Sequence, residues 1–199
     1  MIIQSGNKRK LLDFYPTPIE LCRTFLLEVL PDYKVDGRES FVLDPGAGTG
    51  VWGDALVEID DNVNITGIEI DSKLFCNPNY NRWIVNDFIS PDNYHLLHKY
   101  DLVIGNPPFY VARQFIEKSY GLLRDGGVMS FLLRLSFLES ITRYNRFWPF
   151  YTPKYIYVST RRVSFTGNKK SNSTAYMLPV WIKGFKGEPT LRWFHWDYE

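Results

Sequence analysis

Phe41-Val42-Leu43-Asp44-Pro45-Gly46-Ala47-Gly48-Thr49-Gly50-Val51-Trp52 is the stretch whose reading decides the fold. Phe41 to Leu43 read as a short apolar strand that ends at Asp44. The glycines then turn the chain into a helix with Trp52, Ala55, Leu56 and Ile59 on one face. Such a turn lets the backbone approach a ligand closely, and the helix start offers N–H donors that lack partners. The next strand, Asn64 to Glu69, ends in a carboxylate 19 residues after Gly50. In dinucleotide folds an acidic residue at that distance holds ribose hydroxyls. This turn is Gly-x-Gly-x-Gly, without the Gly-x-Gly-x-x-Gly of those folds. It points to a nucleoside ligand, against the alternative of a purely structural turn.

The same reading extends outward on both sides. Thr17-Pro18-Ile19-Glu20 is a helix start, with the Thr17 hydroxyl as cap, Pro18 in the first helical position and Glu20 closing a capping box. That helix runs through Leu21, Phe25 and Val29 and is expected to stop near Pro31, with Cys22 in the core. Trp83-Ile84-Val85 is a third strand, and Leu102-Val103-Ile104 a fourth that ends at Gly105-Asn106-Pro107-Pro108. A helix from about Val111 to Leu123 follows, closed by Gly126-Gly127, and Val128 to Leu133 is a fifth strand. Alternating strands and helices predict an α/β fold with a mostly parallel sheet covered on both faces. Beyond Pro153 the strands Tyr155 to Ser159, Ala175 to Lys183 and Leu191 to Phe194 are expected to add an antiparallel edge. Gly167 to Ser173 is polar throughout and reads as a loop. With no repeat and no linker, residues 1–199 are expected to form a single domain.

Composition bounds the function. Of the 199 residues 45% are hydrophobic, ample for a core, so disorder is excluded. The longest apolar runs fall far short of the ~20 residues of a membrane span. Two cysteines, Cys22 and Cys76, give no disulfide framework, and no residues show metal-ligand spacing. A soluble protein of the cytoplasm, without a membrane partner, is the expectation. The net charge of +1 conceals an asymmetry: Arg134 to Arg192 holds 11 basic and 2 acidic residues, whereas the remainder holds 12 and 20. A basic third interleaved with aromatic residues is the footprint of a polyanion-binding surface. Its alternative is a solvated face that balances the acidic part of the chain.

Asn106-Pro107-Pro108-Phe109 ends a central strand, where open α/β sheets bind ligands. Consecutive prolines fix the backbone and carry no N–H, so they present carbonyls, Pro107 among them, beside an amide and an aromatic ring. That arrangement suits a planar group bearing an NH₂; a stiff proline turn is its structural alternative.

Together, Asp44 to Gly50 and Asn106 to Phe109 resemble the class I S-adenosylmethionine-dependent amino-methyltransferases, above all the small N6-adenine DNA methyltransferases of phages and prophages. Asp13-Phe14-Tyr15-Pro16-Thr17-Pro18 resembles the segment that closes over the methionine end of the cofactor, in the chain order of the gamma group. Gly67 to Asp71 resembles the ribose-binding strand end, and Asn86-Asp87-Phe88 the adenine-contacting segment. The resemblance continues through Phe131 to Arg134, Phe137 to Glu139, Arg161 to Val163 and Ala175 to Trp181, and so covers nearly the whole chain. It implies a Rossmann-like class I fold and S-adenosylmethionine as cofactor. RNA adenine and protein glutamine methyltransferases resemble the tetrad too, so RNA and a protein amide stay as alternative substrates. A catalytically idle DNA-binding scaffold is the alternative from another class.

The resemblance implies roles residue by residue. Asn106, Pro107, Pro108 and Phe109 would be catalytic: the Asn106 side-chain oxygen and the Pro107 carbonyl grip the adenine amino group while Phe109 stacks on the base. Tyr15 and Thr17 would lie near the methionine moiety, with Asp44, Gly46 and Gly48 lining its amino-acid end. Glu69 would hold the ribose, Asp87 the adenine amino group, and Phe88 would lie beside the ring. Larger DNA methyltransferases of this group carry a separate target-recognition domain, and here only 90 residues follow Phe109. Contacts to DNA are therefore expected from the loops carrying Arg143, Arg146, Arg161, Arg162, Lys169 and Lys170, in a protein expected to be monomeric. Asp71 reads as a turn cap, and His95, His98 and His195 as surface or packing residues.

Overall fold

The computed structural model describes residues 16–33, 38–74, 76–91, 96, 100–165 and 173–198. Their order is α1 (Ile19–Tyr33), β1 (Ser40–Pro45), α2 (Val51–Val57), β2 (Val63–Glu69), β3 (Arg82–Val85), β4 (Tyr100–Gly105), α3 (Ala112–Leu122), β5 (Leu123–Phe131), β6 (Leu133–Arg134), a 3₁₀ turn (Leu135–Leu138), α4 (Ile141–Arg146), β7 (Tyr155–Ser159), β8 (Tyr176–Ile182) and β9 (Thr190–Phe194). The strands lie side by side as β3-β2-β1-β4-β5-β8-β7-β9, with β6 also against β8. Strands β1 to β5 pair in parallel.

Side chains alternate across a strand, so a sheet covered on both faces needs apolar residues at nearly every position. The strands meet that requirement. Val42, Leu102, Ile104, Val128, Leu178 and Val180 share one core with Phe25 of α1 and Trp52 of α2. Their neighbours Leu43, Val103, Met129, Met177 and Trp181 share another with Phe115 and Ile116 of α3. Cys22 is buried in the first of these cores.

The expected antiparallel addition to the sheet is present: β8 runs antiparallel to both β5 and β7, with β9 parallel to β7 beyond them. Chain reversals are local, whereas strand order is set by which neighbours can be covered, and that is not written in any one segment. Two other expectations need correction. First, α1 passes Pro31 and ends at Tyr33. The carbonyl that Pro31 leaves without a partner belongs to Leu27, which is exposed to water. Finally, Gly126-Gly127 does not close α3 but sits inside β5, where the register against β4 shifts between Tyr100 and Leu102. Gly126 has φ +75°, a bulge conformation that favours glycine. The Lys183 ammonium serves the helix end instead, donating to the Leu123 carbonyl at 2.7 Å.

At the amino end of the parallel strands the Asp101 carboxylate is fully buried. Arg38 and Arg124 both pair with it, and it accepts the Phe41 N–H at 2.8 Å. At the carboxyl end, parallel strands bring Pro45, Glu69, Val85 and Gly105 to one edge, together with the segments that follow them. No helix among the described residues is long and apolar enough to cross a membrane.

Candidate active site

The carboxyl edge holds a cavity built on the glycine turn. The Gly46 and Ala47 N–H groups both donate to the Ile68 carbonyl, at 2.7 and 2.9 Å, which folds the turn back onto β2. Gly50 closes it with φ +86°, and a Cβ there would come within 2.6 Å of the Asn77 side chain. Glu69 locks the other side, accepting the Gly48 and Asp71 N–H groups, each at 2.8 Å. Asp71 in turn accepts the Lys73 N–H at 3.0 Å, the expected turn cap. Of the residues singled out in the sequence, Thr17, Gly46, Gly48, Glu69, Asp87, Phe88, Asn106 and Pro108 line this cavity. Phe88 packs on Phe115 at 4.9 Å between ring centres, and the Asp87 carboxylate accepts the Ile89 N–H at 3.0 Å.

Thr17 does not serve as the expected helix cap. Its hydroxyl accepts a hydrogen bond from Asn106 Nδ2 at 3.2 Å, while the Pro18 carbonyl accepts the first helical bond, from Cys22. The segment before α1 is thereby fastened to the end of β4. This contact uses the donor end of the Asn106 amide, so Oδ1 is its acceptor end.

Asp44 lies elsewhere than expected. It is buried and outside the cavity lining, and its Oδ2 accepts the Tyr80 hydroxyl at 2.6 Å. The Tyr80 oxygen also accepts the Gly53 N–H at 3.1 Å, so Asp44 and Tyr80 brace the start of α2 from within. Oδ1 of Asp44 has no partner among the described residues and faces Gly105, where a Cβ would lie 2.9 Å away. Burial pushes the Asp44 carboxyl up to about 7, opposed by the Tyr80 hydrogen bond and reinforced by the charges of Glu69 and Asp54. The strand residue before the turn alternates away from the cavity, which places its carboxylate under the turn.

Pro107 is also buried outside the lining, and among the described residues its carbonyl takes part in no hydrogen bond. The Pro108 carbonyl accepts the Val111 N–H at 3.0 Å, which starts the turn into α3. Phe109 faces away from the cavity into a second hollow, 5.8 Å from the Tyr176 ring and 4.6 Å below the Arg134 guanidinium.

Sequence reasoning gave no individual site role to several cavity residues, among them Trp52, Ile70 and Tyr110. Trp52, on the apolar face of its helix, is buried, lines the cavity, and its Nε1 has no partner among the described residues. Ile70 and Tyr110 line it too while largely exposed. Their signal was position: each directly follows a site segment, at Glu69 and at Phe109.

The basic third is divided by the sheet. Arg143 and Arg146 belong to the helix α4 rather than a loop. Arg143 donates to the Ser136 and Glu139 carbonyls and lies 4.6 Å over the Phe137 ring, whereas Arg146 is exposed. Burial lowers the Arg143 pKa, helped by the charge of Arg113. Arg161 pairs with Asp197 and Arg162 donates to the Ser173 carbonyl, both just beyond the carboxyl end of β7. Lys154, Lys183 and Lys186 lie at the opposite, amino edge, beside the start of β7 and the end of β8. Tyr15, Lys169, Lys170, His95 and His98 lie outside the described residues.

The Methyltransferase small domain family matches residues 17–140, a stretch that holds both the glycine turn and the tetrad. The chain belongs to this family. A putative class I S-adenosylmethionine-dependent methyltransferase of Listeria monocytogenes superposes on 95% of this chain with a TM-score of 0.72, at 14% identity and over 69% of its own chain. The M protein of the type I restriction enzyme EcoKI superposes on 88%, with a TM-score of 0.63 and 15% identity, over 45% of its chain. Among curated proteins, the type II methyltransferase M.HincII of Haemophilus influenzae is 24% identical over 106 residues, which is 53% of this chain and 20% of that protein. The chain thus spans about a fifth of the curated relatives it matches.

The fold is that of the class I methyltransferases, and S-adenosylmethionine is the cofactor. The cavity's chemistry fits it. Glu69 and Asp87 are acceptors for hydroxyl and amino groups, and Phe88, Ile68 and Phe115 offer apolar walls for a flat ring.

Proposed function

We propose that this methyltransferase transfers a methyl group to the exocyclic N6 amino group of adenine in DNA. The observation that carries the reading is the placement of Asn106 on the cavity wall, its amide fixed by Thr17 at 3.2 Å, within an Asn-Pro-Pro-Phe segment. The relatives named as a type II methyltransferase and as the M protein of a type I restriction enzyme support DNA as the substrate class.

The bound cofactor supplies an electrophilic methyl group on a sulfonium centre. Glu69 would hold its ribose, Asp87 its adenine amino group, Phe88 the ring face, and Thr17, Gly46 and Gly48 its amino-acid end. Adenine N6 is a poor nucleophile because its lone pair is delocalised into the ring. Asn106 Oδ1 and the Pro107 carbonyl would each accept one N–H, favouring a pyramidal nitrogen with its lone pair free. These contacts strengthen as positive charge develops on nitrogen, so they stabilise the transition state more than the ground state. The proton is lost to solvent after transfer. A base must leave its stack, and Phe109 would receive it in the second hollow, with its amino group turned toward Asn106 on the cavity wall.

The test offers labelled S-adenosylmethionine with single-stranded DNA, duplex DNA, RNA and a protein extract. Label in DNA is the expected result. Label confined to RNA or to protein would replace the substrate. Cofactor binding with no label anywhere would favour an idle scaffold.

A further inference from the structure

Beyond Phe109 the surface forms a second hollow, walled by Phe109, Tyr110, Arg134, Ser136, Phe137 and Arg143. Two of these residues are arginines and none is acidic; Glu139, which neighbours Arg143, does not line it. Tyr110 also lines the cofactor cavity, so the two spaces adjoin along the tetrad.

The two arginines are prepared differently. Arg143 is held: two backbone carbonyls take its Nη2 hydrogens, Phe137 packs on its plane, and its buried Nε has no partner among the described residues. The Arg134 side chain is exposed and forms no hydrogen bond or ion pair with any described residue. Its guanidinium rests 4.6 Å over the Phe109 ring, the surface on which a base would stack. A cation on a half-buried ring is held more weakly than one hydrogen-bonded to an anion, so this contact is readily exchanged.

We propose that this hollow is a phosphate subsite for the nucleotide being methylated, with Arg134 as its mobile clamp and Arg143 as its fixed wall. The inference rests on the nucleic-acid reading of the function above. With an amino group at Asn106, the sugar and phosphate of the same nucleotide extend past Tyr110 into the hollow. The base takes the Phe109 face from Arg134, and the displaced guanidinium pairs with the phosphate, whose oxygens match its planar fork. Arg134 is thus a positioning residue: it fills the place of the base in the free protein and holds the backbone in the complex.

The probe is a fluorescent single-stranded oligodeoxynucleotide with one adenine, made with natural linkages and with neutral methylphosphonates on both sides of that adenosine. Binding is read by anisotropy with S-adenosylhomocysteine present, so no turnover is needed. Neutral linkages should weaken binding to the parent protein by about tenfold, the scale of one lost charge-assisted contact. Arg134→Ala should weaken binding of the natural strand by a similar factor and be indifferent to the neutral linkages, while Arg134→Lys recovers part of the loss. Turnover at saturating DNA should fall less than KM rises. Equal binding of the natural strand by parent and Arg134→Ala overturns the subsite, as does an undiminished penalty for neutral linkages in the variant. The adenine reading fails separately, when the parent protein itself makes no N6-methyladenine.

Discussion

The two ends of one sheet treat charge in opposite ways. At the amino end Asp101 is fully buried yet met by Arg38, Arg124 and a backbone N–H, and Lys183 serves the end of α3. At the carboxyl end, among the described residues, Asp44 keeps an oxygen without a partner, Arg143 a buried Nε, and Arg134 rests on a ring. Exposed apolar residues, Ile70 and Tyr110, stand there as well. Ion pairs at the amino end hold the fold together. At the other end the Arg143 Nε is buried without a partner among the described residues, and a buried polar group left alone costs stability. A net charge counted along the sequence merges these two populations, and the sheet separates them.

The contrast can be broken most sharply by paired substitutions. Asn106→Ala should reduce turnover at least about 100-fold, the scale of losing one transition-state hydrogen bond, while calorimetry shows cofactor affinity near that of the parent. Turnover at the parent rate would remove Asn106 from the chemistry. Asp101→Ala should do the reverse. It strips two arginines of a buried partner, costs roughly 3–5 kcal/mol in denaturant unfolding, and leaves the rate per folded molecule unchanged.

Asp44 gives a smaller effect that depends on pH. Its carboxyl stays protonated in the fold up to about 7, whereas the unfolded chain loses that proton near 3.8. The folded state thus binds more protons between about pH 4 and 7, and stability falls as pH rises through that window. Asp44→Asn is free of this loss. Its stability relative to the parent should grow by a few kcal/mol from pH 4 to pH 8, as read from denaturant midpoints. A difference that does not change with pH would contradict the raised carboxyl. The smallest effects concern DNA. Arg146→Ala on α4 should lower the salt slope of DNA binding by about one, whereas Lys186→Ala at the amino edge should leave it unchanged.

Much of the site was legible because its signals are local. The glycine turn, the Glu69 strand end and the tetrad are each short, and parallel strands bring their ends to one edge without further information. What was missed depends on contacts distant in sequence. The closing of α3 falls to Lys183, 60 residues from the carbonyl it serves, so the glycine pair nearby was misread as a cap. Thr17 looked like a cap because its partner, Asn106, is 89 residues away. The place of β9 follows from pairing with β7 across a reversed β8, which no local pattern encodes. Motif position does not say which face a strand residue takes, and the Asp44 carboxylate lies on Tyr80, outside the cavity lining.

The central claim is tested most directly by the chemical identity of the product. DNA is incubated with the protein and labelled S-adenosylmethionine, digested to nucleosides and resolved by mass. The account predicts the label in N6-methyldeoxyadenosine. Label in a methylated cytosine instead, or none in DNA while RNA or protein is labelled, would contradict it.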